Sequence, residues 1–354
     1  MTNKIPIIKV KSEIKRVVYT NPLIRDTVCI IGGFATTAHY LEPTAVNTIQ
    51  AARETYGTDT TVDGNAALEQ ILGDNTVSNV IVVNVSRESS GSIVSTVTQS
   101  ELDKAITALD LIDFDILYVA TELTDALLKS VTDFADARFE NKVPFGYVSA
   151  FTRASNSAYQ TTAGKLGDWC YASIIQRLEV DTDELSLVES GAFITKVIAT
   201  MSIGDSLTAR TIPEVTGINA EDVETFNDGD DGAILTGYGY LLFRLINATT
   251  NTYEAVNSAN PNGLDVYISR VRDAIVNDFA LRQYLGKQSN TLTLDLIKME
   301  CSRIATMFQE LGLIENMSYV VEKKDSDTVN VIINSIEFAG IITEIDVFIT
   351  IEVI

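Results

Sequence analysis

The sequence has 354 residues, of which 46% are hydrophobic and 21% are charged, and its 26 basic and 48 acidic side chains give a formal net charge of −22. This composition excludes an intrinsically disordered chain. The acidic excess argues against nucleic acid as a partner, because a phosphate backbone selects clustered Lys and Arg. No stretch approaches the roughly 20 apolar residues of a membrane-spanning helix, and basic residues interrupt the apolar runs near the N-terminus. We therefore expect a folded protein that is made in a cytoplasm and does not insert into a membrane.

The first predicted element is a strand at residues 7–18, within an N-terminal arm that we assign to residues 1–20. Apolar and basic positions alternate there at the period of a strand with one wet face, Ile8, Val10 and Ile14 against Lys9, Lys11 and Lys15. Val17 is a further apolar position of the same strand. Up to Arg16 the segment has five basic side chains and one acidic one, which gives +4. A basic arm on an acidic body indicates attachment to something acidic, and the nearest acidic partner is another copy of this chain.

Residues 21–250 form a predicted α/β region, in which short apolar runs alternate with helical patterns. The predicted strands are residues 28–31, 80–85, 116–119, 145–149 and 171–178. The predicted helices are residues 43–56, 65–72, 102–109, 124–139 and 192–201. Thr44 is the expected N-cap of the first helix, and Gly57 is its expected end. This alternation predicts a mostly parallel sheet with helices packed on it.

Residues 251–343 form a predicted C-terminal inner module. The stretch at residues 247–263 is rich in Asn, Thr, Ser, Pro and Gly, which predicts a linker or surface loop between subdomains. Two long helices and one strand are predicted after it, at residues 267–284, 291–311 and 328–336. Gly312 is the expected end of the second helix. The predicted fold class is therefore α/β, and α+β over the whole chain.

The last predicted strand is a C-terminal arm at residues 344–354. Apolar side chains occupy every second position of this strand, namely Ile345, Val347, Ile349, Ile351 and Val353. Acidic side chains lie between them or beside them, namely Glu344, Asp346 and Glu352. An exposed apolar strand is an aggregation hazard, so each arm should be paired, and the opposite charges favour both arms lying in one sheet. Pairing within one molecule and pairing between molecules both stay open on this pattern.

The sequence offers little for catalysis. His39 is the only histidine, which excludes a histidine-rich metal site, and no G-x-S-x-G motif supplies a partner serine. The Gly-Gly turn at residues 32–33 follows a strand but matches neither phosphate-loop pattern. The acidic stretch at residues 227–232 lacks the glutamate that an EF-hand needs at its twelfth position, which indicates a solvated turn. We therefore expect no catalytic residue, no metal and no cofactor.

The order of the elements carries more information than any single motif. A strand that ends in Gly-Gly at residues 32–33 precedes a helix pattern that ends in Thr-Tyr-Gly at residues 55–57, and an apolar strand follows at residues 79–85. Residues 113–117 then read Asp-Phe-Asp-Ile-Leu at the entry to the next strand. Together with the two C-terminal helices and closing strands, this order resembles that of contractile tail sheath proteins of phages and of phage-tail-like particles such as bacteriocins of the pyocin type.

The resemblance implies a structural subunit that stacks in hexameric rings around a tail tube and contracts to drive the tube through a target envelope. It implies no enzymatic activity. The implied partners are other copies of the chain, the tail tube protein, and baseplate and tail terminator proteins. The C-terminal module would face the tube, with Lys298 and Arg303 as candidate contacts, and both arms would complete the sheets of neighbouring subunits by strand exchange. Assembly would take place in a bacterial cytoplasm, before the subunit becomes part of a virion tail or a released phage-tail-like particle.

Two alternatives stay open at the level of sequence. The chain could fill another structural role, as a tail, baseplate or surface-layer subunit. It could also be a small-molecule-binding α/β protein, which the Gly-Gly turn after a buried strand favours. That second alternative predicts one ligand pocket and a monomer or small oligomer.

Overall fold

The computed structural model describes residues 25–279, 282–284, 291–324 and 328–340. The arm strands predicted at residues 7–18 and 344–354 lie outside the described residues, as do all the arm side chains named above. Helices and strands are numbered in chain order, and a single 3-10 turn, Arg282–Tyr284, lies between the last two helices.

The strands in the described ranges are β1 (Val28–Gly32), β2 (Thr44–Val46), β3 (Val80–Asn84), β4 (Arg87–Ser89), β5 (Ser92–Val94), β6 (Ile116–Ala120), β7 (Gly146–Ala150), β8 (Cys170–Ile174), β9 (Leu178–Val180), β10 (Asp183–Glu184), β11 (Arg210–Thr211), β12 (Val215–Ile218), β13 (Phe243–Asn247), β14 (Thr252–Ala255), β15 (Ile314–Lys323) and β16 (Val329–Phe338). The helices are α1 (Ile49–Tyr56), α2 (Asp63–Leu72), α3 (Gln99–Ala108), α4 (Asp125–Glu140), α5 (Asn156–Ala163), α6 (Leu187–Thr200), α7 (Asp231–Gly237), α8 (Val266–Phe279) and α9 (Thr291–Glu310).

A six-stranded sheet in the order β2-β3-β1-β6-β7-β8 forms the centre of the α/β region. Strand β1 pairs in parallel with both β3 and β6, and the parallel pairing continues through β7 to β8. Only the short edge strand β2 runs antiparallel within this sheet. Strands β1, β6, β7 and β8 are buried along their whole length, as expected where helices cover both faces of a parallel sheet. The predicted α/β layer is confirmed.

The two faces of the sheet build two separate apolar cores, because successive side chains of a strand point to opposite sides. Ile30 belongs to the core formed with α1, α2 and α6, where Phe193 and Ile194 are fully buried. Its neighbour Ile31 belongs to the core on the other face, which includes Leu102 of α3 and Leu128 of α4. The helical and strand periods in the sequence therefore lead directly to this three-layer arrangement.

The helix predicted at residues 43–56 is shorter than the pattern suggests. Residues 44–46 form strand β2, which pairs with β3, and α1 begins only after Thr48, whose hydroxyl accepts a hydrogen bond from the amide of Ala51 at 3.2 Å. Thr44 is therefore not the helix cap, because pairing with the sheet edge outweighs local helix propensity. The predicted end of this helix at Gly57, which has a φ of 89°, is correct.

The predicted linker at residues 247–263 contains a strand. Strand β14 lies inside it and pairs with β13 in a three-stranded antiparallel sheet of order β11-β14-β13. The polar composition that indicated a loop belongs to the turn of this hairpin and to the residues that follow it. The domain boundary predicted at residue 250 falls in that turn, and the division into domains stays a prediction.

The C-terminal module, by which we mean α8, α9, β15 and β16, has a third apolar core. Its buried side chains include Val271 and Ile275 of α8 and Cys301, Ile304 and Phe308 of α9. Both helices were predicted from the sequence. Strand β15 was not predicted, because register shifts after its first residue and at Ser318/Tyr319 break the alternation of its apolar positions. It pairs with β16 in a hairpin of two strands of ten residues each.

Candidate assembly surfaces

The carboxyl end of the central sheet is the place where an α/β protein would bind a small ligand, at the point where the strand order reverses between β1 and β6. The chain itself fills this place. A Cβ atom on Gly33 would overlap the carbonyl of Ser95, and the amide of Gly64 at the start of α2 donates to the carbonyl of Gly33 at 3.1 Å. The two glycines therefore allow the backbone at Gly33, Gly64 and Ser95 to pack closely. The amide of Gly64, in the first turn of α2, is already used in a hydrogen bond.

The charges at this end of the sheet also disfavour an anionic ligand. Burial raises the pKa of Asp63, and the neighbouring carboxylates of Glu122 and Glu189 raise it further. A phosphate group beside Asp63 would meet these carboxylates. Within the described residues, no group of three or more His, Cys, Asp or Glu side chains is arranged to hold a metal ion.

The other chemical candidates of the sequence lie at the surface. His39 is exposed, and its Nδ1 lies 3.1 Å from a carboxylate oxygen of Glu42. In the acidic stretch at residues 227–232, the carboxylate of Asp230 accepts hydrogen bonds at 2.9 Å from the backbone and side-chain amides of Asn227. This is a solvated turn before α7, as predicted.

The hairpin of β15 and β16, here called the C-terminal hairpin, presents open edges. In the described part of the chain each of its strands pairs only with the other. Its inner face packs on the helices of the module, and the rings of Phe279 and Tyr319 lie 5.6 Å apart. On the outer face Val320 and Ile332 are direct cross-strand partners, and both are more than 40% exposed. An unpaired strand edge is a template for an added strand.

The C-terminal hairpin is also acidic. Its two strands carry three carboxylates and one amine, Glu315, Glu322, Glu337 and Lys323. The side-chain charge of these strands, −2, is opposite in sign to the +4 of the N-terminal arm. Among the described residues, the hairpin therefore combines two unpaired edges, an apolar outer pair and a charge opposite in sign to that of the basic arm.

Helix α9 is apolar on two faces. Its buried face lies in the core of the module, whereas Leu292 and Met299 are 70% and 69% exposed, and Leu296 lies between them with 44% exposed. At about 100° per residue these three side chains fall within about 60° of one another, opposite the buried face. We call this set the apolar α9 face. The four- and three-residue spacing of these side chains is visible in the sequence, but the sequence alone does not show that this face is exposed.

The two charged candidates on α9 differ in position. Arg303 falls on the apolar α9 face, and its guanidinium contacts the carboxylate of Glu300 at 2.7 Å. Lys298 lies about 140° from Arg303 around the helix and is 3.9 Å from a carboxylate oxygen of Asp295. Both cations are exposed and paired with carboxylates of the same helix. The exposed apolar side chains are therefore the more unusual feature of this surface.

No helix among the described residues is both long and apolar enough to cross a membrane.

Two solved structures share this architecture. No protein-family model matches the chain, and no curated protein matches it. A solved sheath tail protein from Desulfitobacterium hafniense is 14% identical, with a TM-score of 0.65 over 92% of this chain and 94% of that one. A sheath tail protein from Listeria innocua is 13% identical, with a TM-score of 0.68 over 89% of this chain and 92% of that one. The chain therefore has a tail sheath-like fold, as the order of its elements predicted.

Proposed function

We propose that this chain is the structural subunit of a contractile tail sheath, which polymerises as hexameric rings around a tail tube and shortens to drive the tube through a target envelope. The observation that carries this proposal is the sheath-like fold over 92% of the chain, the C-terminal module included. The occupied carboxyl end of the central sheet supports a structural role over a small-molecule-binding one.

Contraction in this proposal consumes no nucleotide. The subunits assemble in an extended, metastable lattice, and the free energy of contraction comes from the additional surface that they bury when they rotate against one another. The partners are other copies of the chain, the tail tube protein, and the baseplate and tail terminator proteins. Assembly takes place in the bacterial cytoplasm, and the product is a virion tail or a released phage-tail-like particle.

Neighbouring subunits are linked in this proposal by their arms. Fully extended, residues 1–24 span about 80 Å, which is enough to reach an adjacent subunit. The basic N-terminal arm pairs with one open edge of an acidic C-terminal hairpin, and the C-terminal arm pairs with the other. Main-chain hydrogen bonds supply the affinity, and the apolar positions of the arms cover the outer faces of the strands that they join.

The tube-facing surface is proposed to be the apolar α9 face together with Arg303. An exposed apolar stripe of this kind marks a protein interface more often than a solvated surface, and an arginine at its edge suits an interface rim. Lys298 is a weaker candidate because it lies on another side of the helix.

The test is negative-stain electron microscopy of the purified chain, alone and with the tail tube protein. The full-length chain is expected to form hollow cylinders, and a chain that ends at Thr343 is expected to form none. Val347→Asp places a charge on the apolar side of the C-terminal arm and is expected to act like the truncation, whereas Thr350→Asp on the other side is the matched control. A full-length chain that stays monomeric even with the tube protein would overturn the proposal.

A further inference from the structure

Helix α8 contains a buried polar stripe that its packing role does not explain. Tyr267, Arg270 and Asp273 follow one another at three-residue spacing, which places them on one side of the helix. Arg270 is 1% exposed and Asp273 is fully buried. Burying a charged side chain costs several kcal/mol unless hydrogen bonds compensate, so the partners of this stripe indicate what it is for.

Tyr267 binds Ala339, five residues before the C-terminal arm predicted at residues 344–354. Its hydroxyl donates a hydrogen bond to the carbonyl of Ala339, and the amide of Ala339 donates to the carbonyl of Leu313 at 3.3 Å. At the next residue, Gly340, an added Cβ would have no neighbour within 4 Å. Ala339, which we call the C-terminal root, is thus held on both its amide and its carbonyl side.

Arg270 binds Arg25, five residues after the N-terminal arm assigned to residues 1–20. Its guanidinium donates to the carbonyl of Arg25 at 3.3 Å, and to the carbonyls of Met201 and Ser202 at 3.2 and 3.1 Å. Arg25, which we call the N-terminal root, is itself buried and lies 3.1 Å from the carboxylate of Asp115. The N-terminal root is therefore fixed both to α8 and to the entry of strand β6.

The helix that joins the two roots is itself held at its start and at its middle. At the middle, the carboxylate of Asp273 accepts a hydrogen bond from the hydroxyl of Tyr171 on β8 at 2.8 Å. At its start, the carboxylate of Asp265 accepts from three hydroxyl groups, those of Ser206, Thr208 and Ser258, at 2.7 to 2.8 Å. A helix anchored in this way moves as one rigid element.

We propose that α8 is a shared anchor that couples the two arm roots, so that displacement of one root alters the hold on the other. The coupling runs through Tyr267 and Arg270, which are neighbours on the helix surface with Cβ atoms about 5–6 Å apart. The proposed sheath requires two arms but no coupling between them, so this inference goes beyond it. In a sheath, a pull on one arm would reach the other arm of the same subunit through one turn of α8.

The test is hydrogen–deuterium exchange of the unassembled full-length chain, followed by mass spectrometry. Because coupling between two sites is reciprocal, Tyr267→Phe is expected to speed exchange at residues 25–34, which its hydroxyl does not touch. Arg270→Met is expected to speed exchange at residues 313–324 and 329–340. We expect a change of about fivefold or more at the distant root. Arg270→Lys keeps the positive charge but loses the paired N–H donors of the guanidinium. It replaces Arg270→Met in the experiment if Arg270→Met does not fold.

Tyr240→Phe is the matched control, because it removes a buried tyrosine hydroxyl that donates to the carbonyl of Tyr159 at 2.6 Å, away from α8. It is expected to change neither root. Variants of Tyr267 and Arg270 that each alter only their own root would overturn the shared anchor. The measurement needs no assembly, so cylinders without coupling would reject the anchor alone, and coupling without cylinders would reject the sheath function alone.

Discussion

At the scale of single residues, Gly33 separates two interpretations of the same turn. A Gly-Gly sequence after a buried strand fits a phosphate-binding loop and fits a site of close backbone approach equally well. The structure decides, because the carbonyl of Ser95 lies where a side chain of Gly33 would be. The sequence predicted the turn but could not show its neighbour, which is 62 residues away along the chain.

Gly33→Ala is expected to destabilise the chain by about 1–3 kcal/mol, because the added methyl group meets backbone that cannot turn aside. Gly237, the last residue of α7, has open space at the same position, so Gly237→Ala is the control and is expected to change stability by less than about 1 kcal/mol. Urea unfolding of both variants measures the difference. Equal stability of the two variants would show that the segment at Ser95 moves freely and that the turn is not closed.

At the scale of elements, the sequence predicted the strands that form because their side chains are buried. It did not predict the strands that form because they pair with a distant segment. Strands β1, β6 and β7 are short apolar runs buried on both faces, and their sequences identify them without further context. Strand β2 depends on its pairing with β3, and β15 depends on β16 and contains two register shifts. Neither pairing is visible in a local period. The apolar α9 face was visible in the sequence, but only the structure shows that it has no cover among the described residues.

The apolar α9 face is expected to contribute to assembly and not to the stability of the subunit. Leu296→Gln and Met299→Gln change exposed side chains, so each is expected to alter the free energy of unfolding by less than about 0.5 kcal/mol. Both are expected to weaken co-sedimentation with the tail tube protein, and so is Arg303→Gln. Lys298→Gln, on another side of the helix, is the matched control. If Lys298→Gln weakened binding while Met299→Gln did not, the tube-facing side of α9 would be wrongly assigned.

At the scale of the whole molecule, the distribution of charge bears on assembly. A formal charge of −22 keeps subunits soluble but makes them repel one another, so assembly needs a local attraction that overcomes this repulsion. The N-terminal arm carries +4, and the two strands of the C-terminal hairpin carry −2. The arm pattern came from the sequence alone, whereas the hairpin that complements it contains the strand that the sequence did not reveal.

This division of charge makes the salt dependence of assembly informative. Replacing Lys9, Lys11 and Lys15 by Gln removes most of the arm's charge, so at low salt the variant is expected to assemble more slowly than the unaltered chain, as followed by light scattering with the tail tube protein. Screening shortens the range of electrostatic attraction from about 10 Å at 0.1 M salt to about 3 Å at 1 M. The two rates are therefore expected to converge as salt rises.

The matched control replaces three exposed lysines of the α/β region, Lys129, Lys142 and Lys165, and changes the net charge by the same amount. The arm variant and this control have the same net charge, so the long-range repulsion between subunits is the same for both. A difference between their rates therefore reports where the lost charges were and not how many were lost. At low salt it is expected to assemble faster than the arm variant, which has the same net charge. If instead both variants slowed equally, the arm would act only through net charge, and its pairing with the acidic hairpin of a neighbour would be untenable.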